Sequence, residues 1–164
     1  MGSKMNKRHI TIYFISILLA PIIIFCGYWY SRHNLSFTCS TSTESFYNNV
    51  GNKPFMDFTQ NIKFSYSGKA TVSISGILHT QDGKNYALNR SIIYDYEYIN
   101  INQYRLNVSS TLRAGNDNIP VSLELKHLMP VLIGVNRVID IRRLENGNMI
   151  FSNNAGPFFI CAVH

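Results

Sequence analysis

The chain has 164 residues, of which 46% are hydrophobic and 13% aromatic, and its formal net charge at pH 7 is +6. Three of the fifteen basic side chains precede residue 9, which leaves twelve basic side chains against nine acidic ones in the rest of the chain. Apart from the pair Arg142–Arg143, no basic cluster occurs there. This mildly basic balance argues against direct nucleic-acid binding and fits a single exported domain of ordinary size.

Residues 10–30 contain no charged side chain. At a rise of about 1.5 Å per residue they would form a helix of roughly 31 Å, the thickness of a bilayer core. Basic residues precede this stretch and the aromatic residues 28–30 end it, which favours a cytoplasmic N-terminus. We therefore predict a cytoplasmic tail over 1–9, a transmembrane helix over 10–30 and a periplasmic domain over 31–164.

A cleaved signal peptide is the alternative interpretation of this stretch. Cleavage requires small residues after a short apolar region, whereas this apolar run continues into Phe25, Tyr28 and Trp29. The sequence therefore favours a retained anchor. Cys26 is then most simply an apolar side chain on the surface of that helix.

Two cysteines remain in the exported part, Cys39 near its start and Cys161 near its end. In an oxidising compartment they allow one pairing, which would close a loop of about 120 residues and stabilise the fold by about 4–5 kcal/mol in the chain-entropy model. The alternative, a metal site, lacks a third ligand at motif spacing, since only His164 lies near Cys161. We predict a disulfide and no metal.

Alternation of apolar and polar residues predicts a series of strands joined by short turns. The predicted strands cover 36–43, 61–67, 70–78, 86–98, 104–112, 136–144, 149–152 and 158–163. Residues 45–58 fit a loop or a short helical turn, and Pro120 can open a helix that ends before Pro130. The predicted fold is mainly β (α+β): an antiparallel sheet curled into an incomplete barrel, with one or two short helices.

No phosphate-binding loop, zinc-protease helix or nucleophile elbow is present in the sequence. Asp95 and Glu97 share one face of a predicted strand, but a solvated outer face explains them better than an acid pair, because Tyr94, Tyr96 and Tyr98 occupy the other face. We therefore expect no catalytic residues, no cofactor and no enzymatic activity.

Histidines are the remaining candidates for function, because their ordinary titration falls between about pH 5 and 8. His79 lies beside a predicted hairpin turn and His127 on the predicted helix, so these two are the leading candidates for pH sensing, ahead of His33 and His164. The alternative is that all four are ordinary exposed histidines.

Several short motifs follow the predicted anchor. They are Phe37–Cys39, the glycine at position 76, Asn89-Arg90-Ser91, the run 116–120, Leu128-Met129-Pro130 and the ending 157–161. This layout resembles the FidL-like membrane proteins of Gram-negative bacteria over nearly the whole chain, and the arrangement is similar to ToxS beside ToxR. The resemblance implies an inner-membrane accessory protein whose periplasmic domain binds and stabilises a membrane-bound, winged-helix transcription activator, with the DNA-binding part in that partner.

Two other functions stay open at this point. A barrel with an aromatic interior could hold a fatty acid, a bile salt or a similar amphiphile, and a free sheet edge would suit an assembly factor for a surface fibre. An enclosed apolar cavity would favour the first, and an open edge without a cavity would favour the second. The sensed signal, the stoichiometry with the activator and self-association are open as well.

Overall fold

The computed structural model describes residues 7–46, 54–80, 82–127, 133–134 and 136–164. The chain divides into two compact units between Leu35 and Ser36. The first contains a helix, and the second carries the strands and the candidate site.

Helix α1 covers Lys7–His33 and includes the uncharged stretch 10–30, with Pro21 in its interior. Its described apolar side chains between Ile12 and Tyr30 are exposed. Within the described part of the chain, however, no helix is both long and apolar enough to cross a membrane. The prediction of a transmembrane span over 10–30, and the single-pass topology built on it, are therefore not supported.

The second unit is mainly β, and its described residues form eight antiparallel strands and one short helix. The strands are β1 (Phe37–Phe46), β2 (Pro54–Ser65), β3 (Lys69–His79), β4 (Asn85–Asn100), β5 (Gln103–Arg113), β6 (Asn136–Arg143), β7 (Met149–Asn153) and β8 (Gly156–Val163), and α2 (Val121–His127) lies between β5 and β6. Each strand pairs with the next, and β1 pairs with β8, so the sheet is a closed barrel. The prediction of an incomplete barrel was wrong because this last pairing, between the two ends of the domain, leaves no mark in local alternation.

Hydrophobic alternation explains most of the strands, since inward side chains along β3, β4 and β5 are buried at every second position. The region 45–58 was predicted as a loop or helical turn, but its described residues belong to strands. There β1 runs on to Phe46 and β2 begins at Pro54. Their register is continuous from Phe37↔Phe64 to Ser45↔Met56 and then shifts by one residue at Phe46↔Pro54. Cross-strand hydrogen bonding thus extends both strands beyond their alternating segments.

Aromatic side chains fill part of the barrel interior. The ring of Phe64 stacks on Phe37 at 4.9 Å and meets Tyr96 edge-on at 5.2 Å, and Tyr96 contacts Tyr104 at 6.0 Å. The Tyr96 hydroxyl donates to the carbonyl of Ser65 at 2.7 Å, so its burial leaves that hydroxyl satisfied.

The segment between β5 and α2 folds back along β4. Ala114 N–H donates to Asn89 O and Asn118 N–H to Ala87 O, while the Asn118 side chain accepts from Ala87 N–H at 2.7 Å. This places Ile119 in the core, where it is 1% exposed. The segment is therefore fixed to the barrel by its own backbone.

Candidate functional site

The closure between β1 and β8 is short. Their register contains only Cys39↔Val163 and Ser40↔Ala162, extended by a hydrogen bond from His164 N–H to Thr38 O. By contrast, β3 and β4 pair over eleven positions. Within the described residues, 41–46 pair with β2 alone and 156–161 with β7 alone. We call the region where the two strands part, 41–46 and 156–161, the seam.

The backbone orientation at the seam follows from the closing hydrogen bond. In an antiparallel pair, alternate residues direct both N–H and C=O to the same neighbour. Because His164 and Thr38 bond across the closure, the alternation directs the backbone groups of Ile160 on one edge, and of Ser42 on the other, into the seam. Both edges therefore offer hydrogen-bonding groups to a third strand.

A disulfide joins the strands at the closed end of the seam. Cys39 and Cys161, the pair that the sequence predicts, are bonded with a Cα–Cα distance of 5.4 Å and a sequence separation of 122. Both residues are fully buried. The covalent bond therefore holds a closure that has few hydrogen bonds of its own.

Beside the seam, the barrel encloses a cavity of about 420 Å³ that is partly open to solvent. Side chains from all eight strands line it, and most are apolar; the aromatic ones include Phe58, Phe151 and Phe159. Thr43 and Phe158 bring both edges of the seam into the lining. An eight-stranded barrel is just wide enough for one small ligand, and this volume lies within the range of about 300–1,000 Å³ that ligand pockets occupy.

A few polar groups interrupt the apolar lining. Arg137 at the start of β6 lies opposite Leu106 in the sheet, and within the described residues no carboxylate pairs with it. Partial burial lowers the pKa of Arg137, although the nearby Tyr94 opposes this shift. Burial raises the pKa of Tyr94 to about 12, so its hydroxyl is neutral and can donate. The buried Thr43 Oγ1 has no hydrogen-bond partner among the described residues.

A second polar cluster lies in the same barrel and is fully paired. The buried Arg90 donates through Nε to Asp117 Oδ2 at 2.7 Å and through Nη1 to Glu124 Oε1 at 2.7 Å. Arg113 Nη2 also donates to Asp117 Oδ1 at 2.9 Å and to Ile119 O at 2.7 Å. We call Arg90, Arg113, Asp117 and Glu124 the ion cluster, and its role is to fasten the returning segment and α2 to β4.

The ion cluster sets the protonation of its members. Burial alone would raise the pKa of Asp117, but hydrogen bonds from Arg90 and from the N–H groups of Asn89 and Ile119 hold that pKa below its ordinary value. Burial alone would lower the pKa of Arg90, but its bonds to both carboxylates raise it. Both groups therefore stay charged, and they form a structural ion pair rather than a reactive site.

The structure does not gather the candidate histidines into one site. His79 Nδ1 lies 2.9 Å from Asn85 Oδ1 across the β3–β4 hairpin, and His164 Nδ1 lies 3.3 Å from Ala162 O. His33 Nδ1 contacts Trp29 O within α1, and the side chain of His127 lies outside the described ones. Their role in pH sensing stays a prediction.

Asp95 and Glu97 do not act as a pair. Asp95 binds Lys69 at 2.7 Å and Glu97 binds Arg105 at 2.9 Å, all on the exposed outer face. The Lys69 ammonium lowers the pKa of Asp95 by hydrogen bonding. Among the described residues, no group of three metal-ligating side chains comes together.

Sequence reasoning missed the buried Arg90 and also Arg137, which is exposed but lines the cavity. Arg90 lies on the same face of β4 as Leu88 and Ile92. Arg137 lies on the same face of β6 as Ile139 and Ile141. Both faces point towards the barrel interior. An arginine in the apolar phase of an alternating strand is the signal that could have found both.

Comparison with known proteins gives one family match. The model of the family described as "FidL-like putative membrane protein" matches residues 76–161, slightly more than half of the chain. That range runs from Gly76 in β3 to Cys161 in β8, and it includes the ion cluster and Arg137. No curated protein matches the chain. On the strength of the family match, the chain belongs to the FidL-like family of putative membrane proteins.

Proposed function

We propose that the chain is an accessory regulatory protein whose barrel binds and stabilises the exported domain of a membrane-bound, winged-helix transcription activator. The observation that carries this proposal is the seam, because its two edges present backbone groups that pair with no other described residue, as an added strand requires. Within the family we place the chain closest to PsaF, the accessory partner of PsaE, in a role like that of ToxS beside ToxR.

Attachment to the bacterial inner membrane, with the N-terminus in the cytoplasm and the barrel in the periplasm, is part of the proposal. The description of the family as membrane proteins and the uncharged stretch 10–30 support it. The buried disulfide supports an oxidising compartment for the barrel. Carbonate extraction of bacterial membranes tests the attachment separately from partner binding.

Substitution at the seam tests partner binding. Ile160→Pro removes the N–H that points into the seam, whereas Ile160→Ala shortens the side chain and keeps that N–H. We expect the full chain carrying Ile160→Pro to lose co-purification with the activator, and the Ile160→Ala chain to retain it. Equal unfolding midpoints for the two variants would show that the barrel is intact. Full binding by a folded Ile160→Pro chain would contradict docking at the seam.

A ligand-binding module is the second candidate function, and the cavity is the observation that favours it. An assembly factor for a surface fibre would use the same seam, but the condition that favours it, an open edge without a cavity, is not met in this barrel. Identifying what co-purifies with the chain separates a regulator from an assembly factor.

A further inference from the structure

We propose that the cavity is a binding site for a single-chain amphiphile with an anionic headgroup, held by Arg137. This inference deepens the second candidate function, ligand binding, by naming the chemical class of the ligand. The occupant is a linear apolar chain of fatty-acid type, with its charged end at β6 and its tail among the aromatic side chains of the barrel.

The apolar part of the argument is the shape and lining of the cavity. A volume of about 420 Å³ is ample for one alkyl chain, and its lining is dominated by carbon atoms of Phe58, Ile62, Ile74 and Phe159. Hydrophobic burial favours such a chain by about 0.8 kcal/mol for each methylene removed from water, which is up to about four-fold in affinity per methylene.

Charge complementarity decides the headgroup. Arg137 lines the cavity and lacks a carboxylate partner among the described residues, in contrast to Arg90, whose charge is balanced by Asp117 and Glu124. A guanidinium binds a carboxylate or phosphate through two parallel hydrogen bonds. The anionic end of a ligand would thus supply the counter-charge that the protein itself does not place there.

Two further polar groups of the lining fit the same ligand. The Tyr94 hydroxyl interacts electrostatically with Arg137 and, being neutral, can donate a hydrogen bond to an anion. Thr43 Oγ1 is buried at the seam edge of the cavity and has no partner among the residues that the structure describes, so a polar substituent or a water would satisfy it. The seam gives the tail a lateral way in, because Thr43 and Phe158 line both.

Photo-crosslinking tests the site on the full chain in lipid nanodiscs. The probe is a fatty acid with a diazirine in its tail, and peptide mass spectrometry locates the crosslink. We expect labelling of the strands that line the cavity, competed by decanoate much better than by decanol. Labelling spread over α1 alone, or equal competition by decanoate and decanol, would overturn the proposal.

Variants of β6 assign the headgroup. Arg137→Gln should weaken competition by decanoate about ten-fold or more and leave decanol unchanged, because one charge-assisted contact is lost. Arg142→Gln is the matched control, since Arg142 is also exposed on β6 but lies on the opposite phase of the strand. Arg137→Glu should reverse the preference towards decylamine. Unchanged selectivity in a folded Arg137→Glu chain would refute the assignment.

The same assay distinguishes between two sources of the ligand. It also tests the anionic headgroup separately from ligand binding itself. Competition by lysophosphatidylglycerol as well as by decanoate would identify membrane lysolipids as ligands, and competition by decanoate alone would identify free fatty acids. Binding without charge selectivity would refute the anionic headgroup and keep the ligand-binding function. Absence of any labelling in the barrel would refute both.

Discussion

Two regions of the same barrel hold their strands together in opposite ways. Along β4, the returning segment 114–120 is fixed by backbone hydrogen bonds and by the ion cluster, in which every buried charge has a partner. On the opposite side, β1 and β8 share two residue pairs and one disulfide at the closure, and along the seam their edges stay open among the described residues. The contrast indicates that stability is concentrated on one side of the barrel, which leaves the other side free to bind.

Removing the disulfide should lower the unfolding free energy most, because the disulfide takes the place of hydrogen bonds at the weak closure. We expect the double variant Cys39→Ser/Cys161→Ser to lose about 4–5 kcal/mol of unfolding free energy, as expected for a loop of this length. Urea unfolding of the full chain under non-reducing conditions measures it. Cys26→Ser is the control, since Cys26 is free and exposed in α1. An unchanged free energy in the double variant would show that the closure does not depend on the disulfide.

Disrupting the ion cluster should cause the second largest loss of unfolding free energy. Arg90→Met leaves Asp117 buried without its main counter-charge, which we expect to cost about 3–5 kcal/mol in the same unfolding measurement. Lys69→Met, at the exposed pair with Asp95, should change the free energy far less. Similar losses in the two variants would mean that the cluster does not anchor the segment.

Gly76 lies in β3, between β4 and the seam strand β1, and a substitution there tests how closely β3 approaches β2. A Cβ at this position would clash with the backbone oxygen of Asp57 and lie 2.6 Å from Phe58 Cα, so Gly76→Ala must displace β2. We expect a loss of about 1–3 kcal/mol, together with a changed cavity because Phe58 lines it. Gly115→Ala, where nothing lies within 4 Å, is the matched control. Equal stability of the two alanine variants would contradict the close approach.

The smallest expected effect is a pH dependence of stability. The folded-state pKa of Asp117 lies below its ordinary value of 3.8, so the stabilisation it gives is fully present above that pH and is lost as the pH falls through the folded-state pKa. Asp117→Asn should therefore unfold more easily at neutral pH and show a shallower loss of stability in acid. Unfolding free energies measured across the acid range would check this, and parallel pH profiles would contradict it.

The sequence predicted those parts of the fold that local patterns encode. Six strands, from β3 to β8, and helix α2 were expected near their observed positions because alternation and turn residues mark them. The extension of β1 and β2 over 45–58 and the closure of β1 on β8 depend on pairing between distant segments, which a local pattern does not record.

The candidate site was less predictable. The cysteine pair was found because two cysteines allow one pairing, but the cavity arises from side chains of eight strands and has no local signature. Arg137 was not among the candidate residues, although it lies on the same face of β6 as Ile139 and Ile141. The histidines drew attention through their chemistry, but the structure gathers none of the described ones around the cavity.

Residue-resolved hydrogen exchange on the full chain, with and without the exported domain of the activator, tests the central claim most directly. Without the partner, the amides of Ser42 and Ile160 should exchange much faster than those in the middle of β4 and β5. Adding the partner should protect the seam amides and leave the β4 amides unchanged. Seam amides as slow as those of β4 in the isolated chain, or no protection by a partner that binds, would contradict the account.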